Sequence, residues 1–340
     1  MKVGEIYFIS ERDRTDGGMS SYVKIGMVND ITKDSAERLR QHQTGNPRDL
    51  YLHHVTQTPG PFRIERFLHQ QFGPNRVRSE WFRLTDDELD RAVQMAERLA
   101  AEAFVHIPVI EEAKDLGSVE SSGSKIAATG ESTGWIRSLS VTKAALKVCS
   151  ELSVNYRSVA DGLPDDARAE AELEELLVTE HYLDKRFDAD GFADRYPALA
   201  DNFTVITRDV RGRFTPKLQP VDLNEVDASL VAFATEFTLA CDDVRAGRSE
   251  FGALFDMRQQ LEQFAGAYGW DEDVADAHLR VICGTAPGID GQVTWNRSAK
   301  EHAVLDLDGL ESAHPDEYNE FVTVTTRTRT KTRRRARKKT

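Results

Sequence analysis

The sequence has few cysteines, no long apolar run and no phosphate-binding glycine loop, and each absence excludes a class of protein. Its three cysteines, Cys149, Cys241 and Cys283, form no CxxC pair, so neither a disulfide framework nor structural zinc is expected. No stretch approaches the roughly 18 apolar residues of a membrane span. The segments AGRSEF and GTAPG lack the spacing of a Walker loop. We therefore predict a cytoplasmic protein with no membrane contact and no nucleotide cofactor.

Charge is distributed unevenly along the 340 residues, whose formal net charge is -13. Residues 1–104 are nearly neutral, with 15 basic and 16 acidic side chains. Residues 105–326 hold 20 basic and 41 acidic side chains, whereas residues 327–340 hold 9 basic side chains and no acid. Parts that differ this much in charge are expected to have different partners. The pattern predicts a near-neutral head, an acidic body and a basic tail.

Strand and helix patterns alternate in the head, which indicates a small α+β domain at residues 1–104. Apolar alternation predicts strands over VGEIYFI, SYVKIG, DLYLHHV and SEWFRL, and helical spacing predicts helices over KDSAERLRQHQ, PFRIERFLHQQF and the segment after Thr85. Residues 105–135, where Gly, Ser, Thr and Glu accumulate, are predicted to form a flexible linker. Residues 136–326 are predicted to be a mostly helical, acidic accessory region, followed by a disordered basic tail at 327–340.

A weak internal repeat lies within the accessory region. Residues 187–203 align without gaps with residues 305–321, and two Asp, one Gly, one Pro and one Phe are identical between the copies. The shared DxDG run lacks the ligand series and closing Glu of a calcium loop. We therefore predict a duplicated structural unit with no calcium site.

Residue types suited to phosphodiester hydrolysis are predicted to converge in the first domain. Strand alternation puts Tyr7, Tyr22 and Lys24 on the face opposite the apolar core residues. Arg38 and Glu65 follow on two helices. A carboxylate can hold a hard divalent cation on the scissile phosphate, an arginine can bind the phosphate oxygens as a bidentate fork, and a tyrosine can position or deprotonate a water.

The order EIYF, YVKIG, ERLRQHQTGNP, IERFLHQQF and SEWF resembles the GIY-YIG nuclease superfamily, in its phage-type branch with KIG as second motif. The resemblance covers roughly residues 3–104. It implies a small antiparallel sheet with flanking helices and a DNA endonuclease that uses a single Mg²⁺ or Mn²⁺ ion. Carried over by motif, Tyr7 would lie near the attacking water, Arg38 would bind phosphate and Glu65 would bind the metal. Lys24 stands where the superfamily usually has its second tyrosine, and Glu5 replaces the first glycine.

The lysine in the second motif leaves two interpretations open. Lys24 either stabilises transition-state charge, as a catalytic residue, or marks a domain that binds DNA and cuts it slowly. The rival function is accordingly a non-catalytic DNA-binding or regulatory protein whose acidic region binds a protein partner. A third hypothesis, an acidic DNA mimic, leaves the arginines of the first domain unexplained.

An arginine-rich strip predicts the nucleic-acid surface. Between residues 38 and 78 the sequence has seven arginines and only two acids, enough to neutralise several phosphates. DNA is the expected partner, and the strip leaves RNA open as an alternative. The turn TGNP is expected to fix the helix that contains Arg38. Besides Arg38, the candidate nucleic-acid contacts are Tyr22, Arg40, His42, Arg48, Arg63, Arg66, His69, Arg76 and Arg78.

The C-terminal part gives weaker indications. From about residue 231, the order FGALFDMRQQLEQFAGAYG, HLRVICGTAPGIDGQVTWNRS and LDLDGLESAHPDEYNEF is similar to the accessory region of phage YqaJ-type exonucleases. That resemblance implies a phage, mobile-element or anti-phage setting and includes none of the catalytic motifs of that family. The basic tail is interpreted as a nucleic-acid arm, as a counterion for the acidic body or as a solubilising end.

Overall fold

The N-terminal sheet forms around β1, a strand that is apolar on both faces. The computed structural model describes residues 2–13, 15, 17–29, 34–44, 46–173 and 177–332. All strand pairs in this sheet are antiparallel, in the order β3-β1-β2-β5-β4. The strands are β1 (Gly4–Arg12), β2 (Met19–Val28), β3 (Asp49–Thr58), β4 (Arg76–Arg78) and β5 (Trp81–Arg83).

Helices cover both faces of this sheet. The helices are α1 (Ser35–Gln43), α2 (Pro61–Gln71) and α3 (Asp86–Gly117). On one face, Ile6, Phe8 and Ile25 pack against α2 and α3. On the other face, Tyr7 and Ile9 pack with side chains of β3 and α1. The predicted alternation of core and site residues along β1 and β2, and the α+β fold class, are therefore confirmed.

The accessory region is built around long helices. Its elements are α4 (Gly130–Asp161), α5 (Asp165–Leu173), β6 (Leu177–Phe187), α6 (Ala189–Arg195), α7 (Pro197–Phe203), β7 (Thr204–Arg211), β8 (Thr215–Pro216), α8 (Ala228–Arg245), α9 (Phe251–Cys283), β9 (Gly288–Ile289), β10 (Val293–Thr294), β11 (Ser298–Leu305), α10 (Leu307–Ala313), α11 (Pro315–Glu320) and β12 (Val322–Thr332). An apolar core joins α4, α8 and α9. The three cysteines are free and buried. No helix among the described residues is long and apolar enough to span a membrane.

The predicted linker at 105–135 is mostly helical in the structure. The helix α3 continues to Gly117, and α4 begins at Gly130. The connection between them is held by backbone hydrogen bonds, including Ser122 N to the Thr285 carbonyl (2.9 Å) and Ile126 N to the Gly288 carbonyl (3.1 Å). The backbone of this polar segment is therefore hydrogen-bonded to the end of α9 and to the turn beyond it. Composition alone does not reveal those partners.

The two aligned segments have the same structure. In each copy an Asp caps a short helix by accepting from the backbone N–H three residues later, at 3.0 Å, and a Pro begins a second short helix. The copies also exchange backbone hydrogen bonds, from Asp188 N to the Phe321 carbonyl (3.0 Å) and from Asp306 N to the Phe203 carbonyl (2.8 Å). The DxDG run is thus a helix cap at both sites.

Each copy contributes one strand to each of two antiparallel ribbons, β7–β11 and β6–β12. Two predictions need correction here. Within the region predicted to be mostly helical, α5 ends at Leu173 and the strand β6 begins at Leu177. The tail predicted to be disordered from 327 onward pairs as β12 up to Thr332, while residues 333–340 lie outside the described part of the chain. Both errors arise because the strands pair only with each other across about 145 residues of sequence.

Candidate active site

Tyr7 lies at the centre of the sheet, with its ring over Gly26 of the KIG motif. The two residues are directly paired between β1 and β2. A Cβ atom built on Gly26 would lie 2.5 Å from both Cζ and Oη of Tyr7, so only glycine leaves room for the ring. Burial, followed by the charge of Glu80, raises the pKa of Tyr7 to about 12. The hydroxyl is therefore protonated near neutral pH and available as a hydrogen-bond donor.

Lys24 is buried on the same face of the sheet and pairs with Glu80. Its ammonium donates to Oε2 of Glu80, in the two-residue turn between β4 and β5. Ser79, the first residue of that turn, has φ of +50°, the left-handed geometry that such hairpin turns require. Burial by itself would raise the pKa of Glu80, but the hydrogen bond and charge of Lys24 outweigh it and lower the pKa.

Glu65 extends from α2 toward this pair. Burial raises the pKa of its carboxyl, and the negative charge of Glu80 raises it further, whereas Lys24 opposes the shift. On this part of β2, pairing with β5 covers only residues 22–24, whereas pairing with β1 continues to Val28. The charge of Glu65 therefore interacts with those of Glu80 and Lys24 and acts on Tyr7.

Arg38 and His42 lie one turn apart on α1 and complete the cluster. Arg38 is exposed, and its charge acts on Tyr7 and on His42. Burial, followed by the charge of Lys24, lowers the pKa of His42, so its imidazole is neutral at pH 7. These electrostatic couplings connect all four predicted catalytic residues, Tyr7, Lys24, Arg38 and Glu65, from four different elements.

The start and end of α1 are both fixed by side chains. Glu5, which is buried, accepts a hydrogen bond from Ser35 N at 2.9 Å. At the other end, the Gln43 side chain donates to the Arg48 carbonyl (2.9 Å) and accepts from Leu50 N (2.8 Å). Glu5 therefore anchors the start of α1, the helix that presents Arg38.

The predicted nucleic-acid contacts divide into two groups. Exposed or partly exposed side chains that suit a surface role are Tyr22, Arg40, His42, Arg48, Arg66 and Arg78. The other three, His69, Arg63 and Arg76, make internal contacts.

The internal contacts of these three residues are specific. The Nε2 atom of His69 lies 2.8 Å from the Ile25 carbonyl oxygen, where the pairing of β2 with β5 ends. Arg63 places Cζ 3.5 Å from the ring centroid of Trp270 on α9, and burial lowers its pKa to about 10. Arg76 donates to the carbonyls of His69 and Ser79 and lies over Phe82. These three side chains therefore stabilise the structure around the candidate site.

The acidic residues of the site fit a metal with few protein ligands. Among the described residues, no group of three or more His, Cys, Asp or Glu side chains can hold a metal ion. Burial disfavours the charge of both Glu65 and Glu80, but only Glu65 keeps a raised pKa, because Lys24 compensates Glu80; a nearby cation would relieve the cost at Glu65. Mg²⁺ binds through one or two carboxylates and takes its other ligands from water and substrate phosphate. Glu65 is therefore the side chain of the site that could hold a single Mg²⁺ or Mn²⁺ ion.

Sequence reasoning missed three contributors to this site. The sequence alone indicates no role for Glu80, the second residue of the SEWF motif. Gly26 and Glu5 were noted only as motif letters. Each of the three lies in one of the quoted motifs, which was the only signal available. The contacts of Glu80 with Lys24, of Gly26 with Tyr7 and of Glu5 with Ser35 join different elements, and the sequence does not specify them.

Comparison with known proteins supports a nuclease-like domain in the part of the chain that contains this site. Residues 4–97 match the T5orf172 domain, a phage-associated family of nuclease-like domains consistent with a nuclease superfamily. No curated protein and no solved structure is significantly similar to the chain. The matched segment contains the whole cluster from Glu5 to Glu80 and none of the accessory region.

Proposed function

We propose that the N-terminal domain is a metal-dependent DNA endonuclease of the GIY-YIG type, acting in phage, anti-phage or mobile-element biology. The observation that carries the proposal is the electrostatically coupled cluster of Tyr7, Lys24, Arg38 and Glu65. Each residue type has a defined use in phosphodiester hydrolysis, and the four come from separate elements, β1, β2, α1 and α2. The nuclease-like family matched by residues 4–97 supports the same class.

In the proposed reaction, a water oxygen attacks the phosphorus atom and the bond to the leaving sugar oxygen breaks. That oxygen keeps the bonding electron pair and takes a proton from solvent. The Tyr7 hydroxyl, held over Gly26, orients the water. His42, which is neutral at pH 7, accepts the proton of the water. Arg38 binds the non-bridging oxygens as a fork. Glu65 would hold Mg²⁺ or Mn²⁺, which polarises the phosphate when bound.

Lys24 fits a stabilising role in this scheme. An ammonium group has three N–H donors, and the contact with Glu80 uses one of them. The remaining donors can stabilise charge that develops on the phosphate oxygens, while Glu80 holds the amine in place. Glu80 thus acts as a positioning residue for Lys24.

The non-catalytic alternative is favoured by the same ion pair. Lys24 already has an anionic partner in Glu80, so its role would be to stabilise the fold. In that case the surface arginines would bind DNA and no residue would catalyse its cleavage. The two functions differ in their dependence on Glu65, because binding through arginines does not need its carboxylate.

Nicking of supercoiled plasmid tests the proposal. Wild type is compared with Arg38→Ala and Glu65→Gln in Mg²⁺ or Mn²⁺, and Arg91→Ala, an exposed arginine on α3, is the matched control. We expect wild type and Arg91→Ala to nick, and both site variants to lose roughly 10²-fold or more in rate. Glu65→Gln should keep its affinity for DNA. Binding without nicking by wild type would instead support the non-catalytic function.

A further inference from the structure

The ribbon β6–β12, here called the basic ribbon, differs in charge from its counterpart β7–β11. Every second residue of β12 from Arg327 to Lys331 is basic, and six more basic residues follow at 333–340. The two strands of the basic ribbon together have a net charge of +3, whereas the strands of β7–β11 have +1. The two copies of a duplicated fold have thus acquired different surfaces.

Two arginines of the basic ribbon share one carboxylate. Asp184 Oδ2 lies 3.3 Å from Arg186 Nε and 2.8 Å from Arg327 Nε. One negative charge therefore faces two positive ones. The arginine side chains are 68% and 49% exposed, and a guanidinium that uses Nε on Asp184 still has the four N–H groups of its Nη atoms. The pair is a preformed anion-binding surface with excess positive charge.

The shape of the basic ribbon suits a DNA groove. Eleven residues pair along each strand, from Val322 with Phe187 to Thr332 with Leu177. At about 3.3 Å per residue this is roughly 35 Å, close to one helical turn of B-DNA. Within the described residues the ribbon has only two strands, so both of its edges are open. The major groove admits a two-stranded ribbon.

The position of the apolar side chains argues for nucleic acid over a membrane. Leu183 and Val324 are exposed on the ribbon. They are paired with Thr326 and Lys185, out of phase with Arg186 and Arg327, and therefore lie on the opposite face. A membrane-binding surface combines cationic and apolar side chains on one side. The arginine face here holds Thr323, Thr325 and the amphipathic ring of Tyr182, which is 39% exposed, whereas the exposed aliphatic side chains lie on the other face.

We propose that the basic ribbon binds duplex DNA through its phosphates, with Arg186 and Arg327 as the principal contacts. This is a second DNA contact, on the accessory region, and it goes beyond the cleavage reaction proposed for the N-terminal domain. It does not depend on that reaction, because phosphate binding by arginine needs neither a metal nor the residues of the candidate active site. Its consequence is that the accessory region contributes affinity and holds the substrate of the nuclease-like domain.

The test compares two matched pairs of arginines in the full chain. Arg186→Ala/Arg327→Ala removes the proposed contacts. Arg208→Ala/Arg211→Ala removes two arginines of the other ribbon, which are 65% and 63% exposed and paired with Glu120 and Asp209. Binding to a fluorescent duplex of about three helical turns is measured by anisotropy in EDTA, between about 50 and about 200 mM salt.

We expect the Arg186/Arg327 variant to bind roughly tenfold more weakly than wild type and the control to change less than about twofold. The slope of log affinity against log salt should fall by about 2 for the loss of two phosphate contacts. Equal affinities for the two variants would overturn the proposal, as would vesicles of anionic phospholipid that compete with DNA more strongly than unlabelled duplex. Circular dichroism melting of both variants establishes that each is folded.

The two experiments distinguish failure of the cleavage proposal from failure of the ribbon proposal. If no protein nicks plasmid but the Arg186/Arg327 variant loses affinity, only the proposed nuclease activity is wrong. If wild type nicks plasmid and the variant keeps wild-type affinity and salt slope, only the ribbon proposal is wrong.

Discussion

At the scale of single residues, the position of Tyr7 depends on the absence of a side chain at Gly26. Gly26→Ala would place a methyl group 2.5 Å from the Tyr7 ring and hydroxyl, so the ring must move. We expect about 1–3 kcal/mol lower stability, as for other overpacked cores, and on the order of 10²-fold slower plasmid nicking because the hydroxyl is misplaced. Gly134→Ala, where nothing lies within 4 Å, is the control and should nick normally. Normal nicking by Gly26→Ala would exclude Tyr7 from the reaction.

Glu65 should make both stability and cleavage depend on pH. Its folded-state pKa is raised, so the folded protein bears a cost for the carboxylate at neutral pH that disappears as the group protonates. Glu65→Gln should therefore melt at a higher temperature than wild type at pH 7, and the difference should vanish below the unfolded-state pKa of about 4.5. Wild-type nicking should fall at acid pH, because protons compete with the metal for Glu65 and protonate His42. Melting curves at several pH values check the first point, and a variant no more stable than wild type at pH 7 would contradict it.

The sequence contained enough information to place the four candidate catalytic residues on their elements, but not to identify the side chains that contact them. Motif order and strand alternation located Tyr7, Lys24, Arg38 and Glu65 on four elements, because both depend on local spacing. The separation of surface arginines from internal ones was not accessible. Arg63 and Arg66 are three residues apart on the same helix, yet one lies over Trp270 and the other is exposed, and that difference is set by the distant helix α9.

At the scale of elements, Arg297 connects the ends of two long helices. It is buried and donates to the Leu116 carbonyl near the end of α3 (2.9 Å) and to the carbonyl of Gly284, the C-cap of α9 (2.8 Å). Arg297→Met keeps much of the apolar volume but leaves both carbonyls without this donor. We expect a loss of about 3 kcal/mol in the free energy of unfolding, measured in urea. Arg280→Met, a partly exposed arginine on α9 paired with Asp276, should cost about 1 kcal/mol or less. Equal losses would show that the buried capping contacts add nothing.

Periodicity predicted the long helices better than the ribbons. Apolar spacing of three and four residues identified α4, α8 and α9 because each buries one stripe in a common core. The segment of β6 contains leucine, glutamate and tyrosine at spacings that also suit a helix, and its strand state depends on β12, which lies far along the chain. Local pattern has no access to such a partner. The internal repeat was the better guide, since its Asp, Gly and Pro positions mark helix caps and starts in both copies.

At the scale of the whole molecule, the accessory region contacts the helix that presents Glu65. The helix α9 packs against α2 through the Arg63–Trp270 contact and a hydrogen bond from Gln263 to the Gln70 carbonyl (2.9 Å). Charge blocks along the sequence suggested independent parts, but composition does not show where parts touch. The structure therefore adds a physical connection between the acidic helices and the candidate active site.

That connection gives a prediction for Trp270. Trp270→Ala would remove the ring beneath the buried guanidinium of Arg63, whose charge is already disfavoured by burial. We expect about 2–3 kcal/mol lower stability and roughly tenfold slower nicking, because α2 shifts and takes Glu65 with it. Trp270→Phe keeps an aromatic face and should recover most of both. Since Trp270 lies outside the arginine strip and the basic ribbon, DNA affinity in EDTA should stay within about twofold of wild type. If Trp270→Ala loses stability but nicks at the wild-type rate at a temperature where it is folded, α9 supports the fold alone and the accessory region does not position the active site.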